Sequence, residues 1–88
     1  MTEIPTCTMT GIANKIKKAD YVYHGLMTLC ILTLENGFLV TGESACAHEL
    51  KYNKALGEKY AYENAFEKIW LLEGYLLREK LYRESLAA

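Results

Sequence analysis

The sequence has no apolar run long enough to cross a bilayer and no hydrophobic leader near its start, so neither a membrane anchor nor a secretory signal is expected. It also lacks a basic excess. Ten basic side chains face eleven acidic ones, for a net charge of −1. A protein that binds nucleic acid through phosphates normally carries a basic face, so no nucleic-acid partner is expected. Lys15, Lys17 and Lys18 cluster, which reads as a solvated face. Proline is nearly absent, occurring only as Pro5. Cysteine is sparse and odd in number, at Cys7, Cys30 and Cys46; this suits a reducing cytosol and no disulfide framework.

What is present is apolar. Hydrophobic residues make up 51% of 88 residues, which excludes disorder. A chain of this size hides only roughly 60–65% of its unfolded surface. Part of the apolar content should therefore end at a surface, and association with further copies of the chain is the expected use for it.

Residues 1–9 are polar and mixed and read as a flexible N-terminal arm, with a single α+β domain over 10–88. Thr10 can cap a short helix through about Ala19, with Ile12 and Ile16 on one side. Tyr21-Val22-Tyr23 reads as a strand that Gly25 ends. Met27–Leu34 and Phe38–Ser44 are β-rich runs joined by Asn36-Gly37, a pair that suits a two-residue type I′ turn. Such a turn would place Leu32 opposite Thr41 and Cys30 opposite Glu43. Met27, Leu29, Ile31, Phe38 and Val40 would share one face, and Leu26, Cys30, Leu32, Leu34 and Leu39 the other. Both faces are apolar, so the sheet needs a cover on each side. Cys30 and Cys46 would lie on opposite faces, which disfavours a bond between them unless Gly42 carries a bulge.

From Asn53, which can cap it, to about Ser85 the pattern is helical, with Ala55, Tyr62, Ala65, Phe66, Ile69, Leu72 and Leu76 on one stripe. That stripe would bury Glu73. A buried unpaired carboxylate is costly, so the helix should kink or break between Leu71 and Gly74, or Glu73 should have a dedicated partner. The expected fold is α+β: a short N-terminal helix, a three-stranded antiparallel meander, then one long or two consecutive helices.

The string Asn36-Gly37-Phe38-Leu39-Val40-Thr41-Gly42-Glu43-Ser44-Ala45-Cys46 resembles a family of small tailed-phage proteins, the gene forty-nine/gene sixty-six family. The likeness resumes at Leu56-Gly57-Glu58-Lys59, at Glu63-Asn64-Ala65 and over Lys68-Ile69-Trp70-Leu71-Leu72-Glu73-Gly74-Tyr75-Leu76-Leu77. Members usually carry proline where this chain has Leu71. Proline suits a first helical turn, so the family pattern points to a break that this departure leaves open. Tyr60 and Tyr62 are further departures. The resemblance implies a phage accessory protein acting in the cytoplasm of an infected bacterial host. It transfers no catalytic residue.

Several residues could carry chemistry. Glu43 and Ser44 could form a polar rim, with Gly42 allowing close approach of a ligand, or Gly42 could mark a bulge with Ser44 capping a turn. Trp70, Glu73 and Tyr75 flank the expected break and could hold a base or ribose, or they could serve the core or a subunit interface. Asn64 could contact a ligand or bond sheet backbone. Cys46 and His48 are two apart, but a nucleophile pair needs an orienting third group, and a zinc site needs more ligands. No catalytic residues, metal site or cofactor are therefore expected. The expected role is that of a non-enzymatic, homo-oligomeric binding protein that sequesters a small nucleotide-like ligand through Glu43, Ser44, Asn64, Trp70, Glu73 and Tyr75. The alternative is an adaptor or inhibitor that grips a host protein with its aromatic-rich helix, where Tyr60, Tyr62 and Trp70 are of the residue types enriched in hot spots.

Overall fold

The computed structural model describes residues 9–87; the expected arm at 1–9 lies outside them except for Met9, which opens a helix. The element order is α1 (Met9–Ala13), β1 (Ile16–His24), β2 (Met27–Leu34), β3 (Leu39–Ala45), a 3₁₀ turn (Glu49–Lys51) and α2 (Lys54–Ala87). The strands form one antiparallel sheet in the order β1-β2-β3. The α+β meander expected from the sequence is the fold.

The N-terminal helix is shorter than the sequence suggests. It ends at Ala13, and Ile16–Ala19 belong to β1. Strand pairing decides this: β2 offers partners from Met27 to Leu34, and β1 takes them from His24 back to Ile16, with a bulge between Ile16 and Lys18. Ile12 and Ile16 still serve one core, Ile12 buried and Ile16 packed against it, although they lie on different elements.

The hairpin turn corrects the register. Asn36 has no positive φ, whereas Gly37 sits at +88°. The Gly37 N–H donates to the Leu34 carbonyl and the Leu34 N–H to the Phe38 carbonyl. These bonds define a three-residue loop, Glu35 to Gly37, with glycine in the left-handed position. The pairing moves by one residue, so that Cys30 faces Gly42 and Leu32 faces Val40. Val40 thereby joins Cys30, Leu32 and Leu34 in the buried layer, and Leu39 turns out to solvent. Cys30 and Cys46 now share a face, yet both are free. Their separation, about four residues or 13 Å along the strands, keeps them apart, and no bulge at Gly42 is needed.

One helix face covers one sheet face. Asn53 caps α2 through its side-chain oxygen, which accepts from the Leu56 N–H at 3.1 Å. The helix lies across β3 and β2, and Ala61, Ala65 and Ile69 meet Cys30, Leu32, Leu34, Val40 and Ile12 in the core. Ala55, Leu72 and Leu76, expected in that stripe, are exposed. Among the described residues the other sheet face has no cover: Val22 and Met27 are exposed, and Leu29 and Ile31 are half-buried.

The helix does not break. It runs 34 residues without interruption, about 50 Å at 1.5 Å per residue, and stretches the molecule to 59 × 22 × 22 Å. Glu73 takes the second course open to it: the Lys15 ammonium pairs with its carboxylate at 2.8 Å. With that charge matched, Gly74 imposes no break, and among the described residues nothing lies within 4 Å of where its Cβ would stand.

Candidate functional site

The six residues singled out in the sequence do not converge on one cavity. Glu43, Ser44 and Asn64 lie where α2 meets the outer edge of β3. The Glu43 N–H donates to the Asn64 side-chain oxygen at 3.1 Å, and four residues on, the Lys68 ammonium donates to the Thr41 carbonyl at 2.6 Å. Residues 41 and 43 turn their backbone groups away from β2, so α2 satisfies part of a sheet edge that would otherwise invite another strand. Asn64 stands mid-helix for this backbone bond. The Ser44 hydroxyl donates to the Gly57 carbonyl at 2.6 Å, so it ties helix to strand rather than capping a turn. A small hollow of about 190 Å³ beside it is lined by Cys46, Asn53, Leu56 and Tyr60 among others.

Gly42 serves the same contact. A Cβ there would stand 2.2 Å from both the Ala61 carbonyl oxygen and the Ala65 nitrogen, so glycine admits the helix backbone, not a ligand. Glu73 is held by Lys15 near the hairpin loop, beside Leu34 and Asn36. Tyr75 is 68% exposed on the projecting helix.

Trp70 alone of the six lines a broad groove on the β1 side of α2. This groove, of about 700 Å³, runs between β1 and the flank of α2; its walls include Tyr21, Tyr62, Phe66 and Trp70, with Lys59, Glu63 and Glu67 at the rim. The rings of Tyr62 and Phe66 lie 6.1 Å apart and tilted, and those of Phe66 and Trp70 lie 6.5 Å apart and edge-on. Because α2 is centred over β3 and β2, β1 is met only by side chains. At one end the Tyr23 hydroxyl donates to Glu58, and the Lys54 ammonium lies 4.8 Å over the Tyr23 ring. Under the groove Tyr21 faces Cys30 across the strands. Burial pushes both groups up, the Cys30 thiol and the Tyr21 hydroxyl alike. Both are therefore neutral near pH 7.

The groove was half legible. Lys59, Tyr62, Glu63, Phe66, Glu67 and Trp70 follow 3–4 spacing, which puts them on one flank of a helix. Tyr21 comes from a strand 41 positions earlier than Tyr62, and no local signal joins them.

Cys46 and His48 make no nucleophile pair. The Cys46 thiol lies 3.1 Å from the His48 carbonyl oxygen, not the imidazole, and the His48 Nδ1 accepts from the Leu50 N–H. Among the described residues no three His, Cys, Asp or Glu side chains group to hold a metal ion, and no helix is long and apolar enough to cross a membrane.

A three-stranded meander under one long helix, with an aromatic groove along the helix flank, defines a small α+β scaffold. The chain belongs to the phage protein family described as the N4 Gp49/phage Sf6 gene 66 family, which it matches over residues 7–81. No curated protein and no solved structure matches it.

Proposed function

We propose that this phage protein is a non-enzymatic binding protein that captures a small nucleotide-like ligand, a host signal or metabolite, in the groove between β1 and α2, in the cytoplasm of the infected host. The observation that carries the reading is the lining itself. Tyr21, Tyr62, Phe66 and Trp70 offer ring faces and edges against which a base can stack. Glu63 and Glu67 can accept hydrogen bonds from ribose hydroxyls or an exocyclic amine, and Lys59 can pair with a phosphate. A groove of this size falls in the range that holds small ligands. One lysine beside two carboxylates favours a nucleoside carrying few phosphates over a polyphosphate. Sequestration of such a signal would serve counter-defence or host takeover, and it needs no turnover.

The test uses the chain's one tryptophan, Trp70, as its own reporter. A panel of nucleosides, mono- and cyclic nucleotides and ADP-ribose-type compounds is titrated while Trp70 fluorescence and the unfolding midpoint are followed. A ligand at 100 times its dissociation constant adds about 2.7 kcal/mol, which raises the midpoint of so small a domain by about 10 °C or more. A flat panel from a folded sample would sink the reading.

The adaptor reading keeps one observation in its favour. Tyr60 is 51% exposed on the β3 side of α2, outside the groove. Loss of a host partner on Tyr60→Ala, with the groove ligands unaffected, would transfer the function to that flank.

A further inference from the structure

The apolar stripe of α2 continues past the point where the sheet stops. Leu72, Tyr75, Leu76, Tyr82 and Leu86 are 42%, 68%, 58%, 49% and 64% exposed, and they recur at the 3–4 spacing of a helix–helix seam, with Glu79 at its midpoint. Against its root lies an apolar groove of about 430 Å³ between β3 and α2, lined by Phe38, Leu39, Leu71 and Leu72, three of whose residues are more than half exposed. From Gly74 to Ala87 the helix projects about 20 Å. The projection is continuous with the packed part of α2 and needs no new nucleus, but its apolar stripe has no cover among the described residues and calls for a partner.

We infer that the partner is a second copy of this chain, with the two projecting helices packed antiparallel about an axis through Glu79. The stripe is self-complementary only in that sense: Leu72 meets Leu86, Leu76 meets Tyr82, and Tyr75 meets Arg83, a pairing suited to a guanidinium over a ring. Each Glu79 brings its own counter-charge, because Arg83 of the same helix holds it at 2.8 Å. A parallel pairing would drive the two sheets into each other at one end, whereas the antiparallel one sets them at opposite ends. It also lays the last turn of each helix in the other copy's Phe38–Leu72 groove. Taking roughly 200 Å² for a large side chain, the exposed fractions of the stripe and groove offer at most on the order of 900 Å² per copy for burial. A stable interface needs about 800 Å² per partner. The aromatic groove at Trp70 lies on the other flank of α2, so each copy keeps its groove open and the pairing does not depend on any ligand.

The test is the mass in solution and the geometry of a crosslink, both on the full chain without ligand. Sedimentation equilibrium should give the mass of a dimer. The pair Leu76→Asp and Tyr82→Asp should raise the dimer dissociation constant at least about 100-fold, the effect of losing two hot-spot contacts, while circular dichroism keeps the sheet and helix signature. In a chain with Cys7→Ser and Cys46→Ser, mild oxidation of Glu79→Cys should link two copies, and oxidation of Glu84→Cys, on the opposite flank, should not. A wild-type chain that stays monomeric well above micromolar concentration overturns the inference and assigns the stripe to another protein. Crosslinking through position 84 rather than 79 overturns it too.

Discussion

Gly42 of β3 and Ala65 of α2 touch backbone to backbone: a Cβ on Gly42 would lie 2.2 Å from the Ala65 nitrogen and 2.7 Å from its Cβ. The contact fixes how close the helix sits to the sheet, and so how far its flank stands from β1. Gly42→Ala should therefore lift α2 off the sheet. The expected loss is about 3 kcal/mol, seen as a fall in unfolding midpoint of at least about 12 °C. A variant as stable as the parent would mean that the helix can rise at no cost.

Thr28 is 1% exposed beneath Gly57, and its hydroxyl has no hydrogen-bond partner among the described residues. Thr28→Val keeps the shape and removes an unsatisfied buried polar group, so it should stabilise the fold by about 1 kcal/mol. Chemical denaturation would show the midpoint rise with an unchanged slope. A lower midpoint would mean that the hydroxyl is satisfied in solution.

Asn64→Ala leaves the Glu43 N–H without its acceptor at a sheet edge. The expected cost is about 1 kcal/mol, together with faster exchange of the Glu43 amide. Combined with Lys68→Ala, which frees the Thr41 carbonyl, it should raise light scattering on warming, because the bare edge can pair with another chain.

The Lys15–Glu73 pair joins the turn after α1 to the helix, with side chains 47% and 17% exposed. A double-mutant cycle over Lys15→Met and Glu73→Gln should give a coupling of about 0.5–1 kcal/mol. If Glu73 were instead essential to helix continuity, Glu73→Gln alone would lower helical signal in circular dichroism.

Burial raises the Cys30 thiol above its ordinary 9.0 and the Tyr21 hydroxyl above its ordinary 10.0. The unfolded chain loses these protons first as pH rises, while the folded chain keeps them. Stability is therefore full below about pH 8.5 and falls on the alkaline side. Denaturation midpoints measured from about pH 8 to about pH 10 should decline, and Cys30→Ala should flatten part of that decline. In the native protein a thiol reagent should modify Cys46 well before Cys30.

Sequence by itself determined the elements and their order. Local chemistry was enough: Gly25 and Gly37 take the positive φ at the two turns, Asn53 caps α2, and β-rich runs on either side of Asn36-Gly37 mark the strands. Sequence also fixed the dilemma at Glu73, since a carboxylate on an apolar stripe must be exposed, paired or bypassed. Tertiary structure decided which. Lys15 is 58 positions away from Glu73, and no spacing rule links them; once they meet, the helix has no reason to break. The strand register likewise turned on whether Asn36 joined Gly37 in the left-handed conformation or left it to Gly37 alone, a difference smaller than local propensity resolves, and one step moved Val40 into the core. The aromatic groove exists for a similar reason. Gly42 and the small residues Ala61 and Ala65 draw α2 over β3 and β2, and the offset leaves Tyr21 of β1 facing Tyr62, Phe66 and Trp70 across open space.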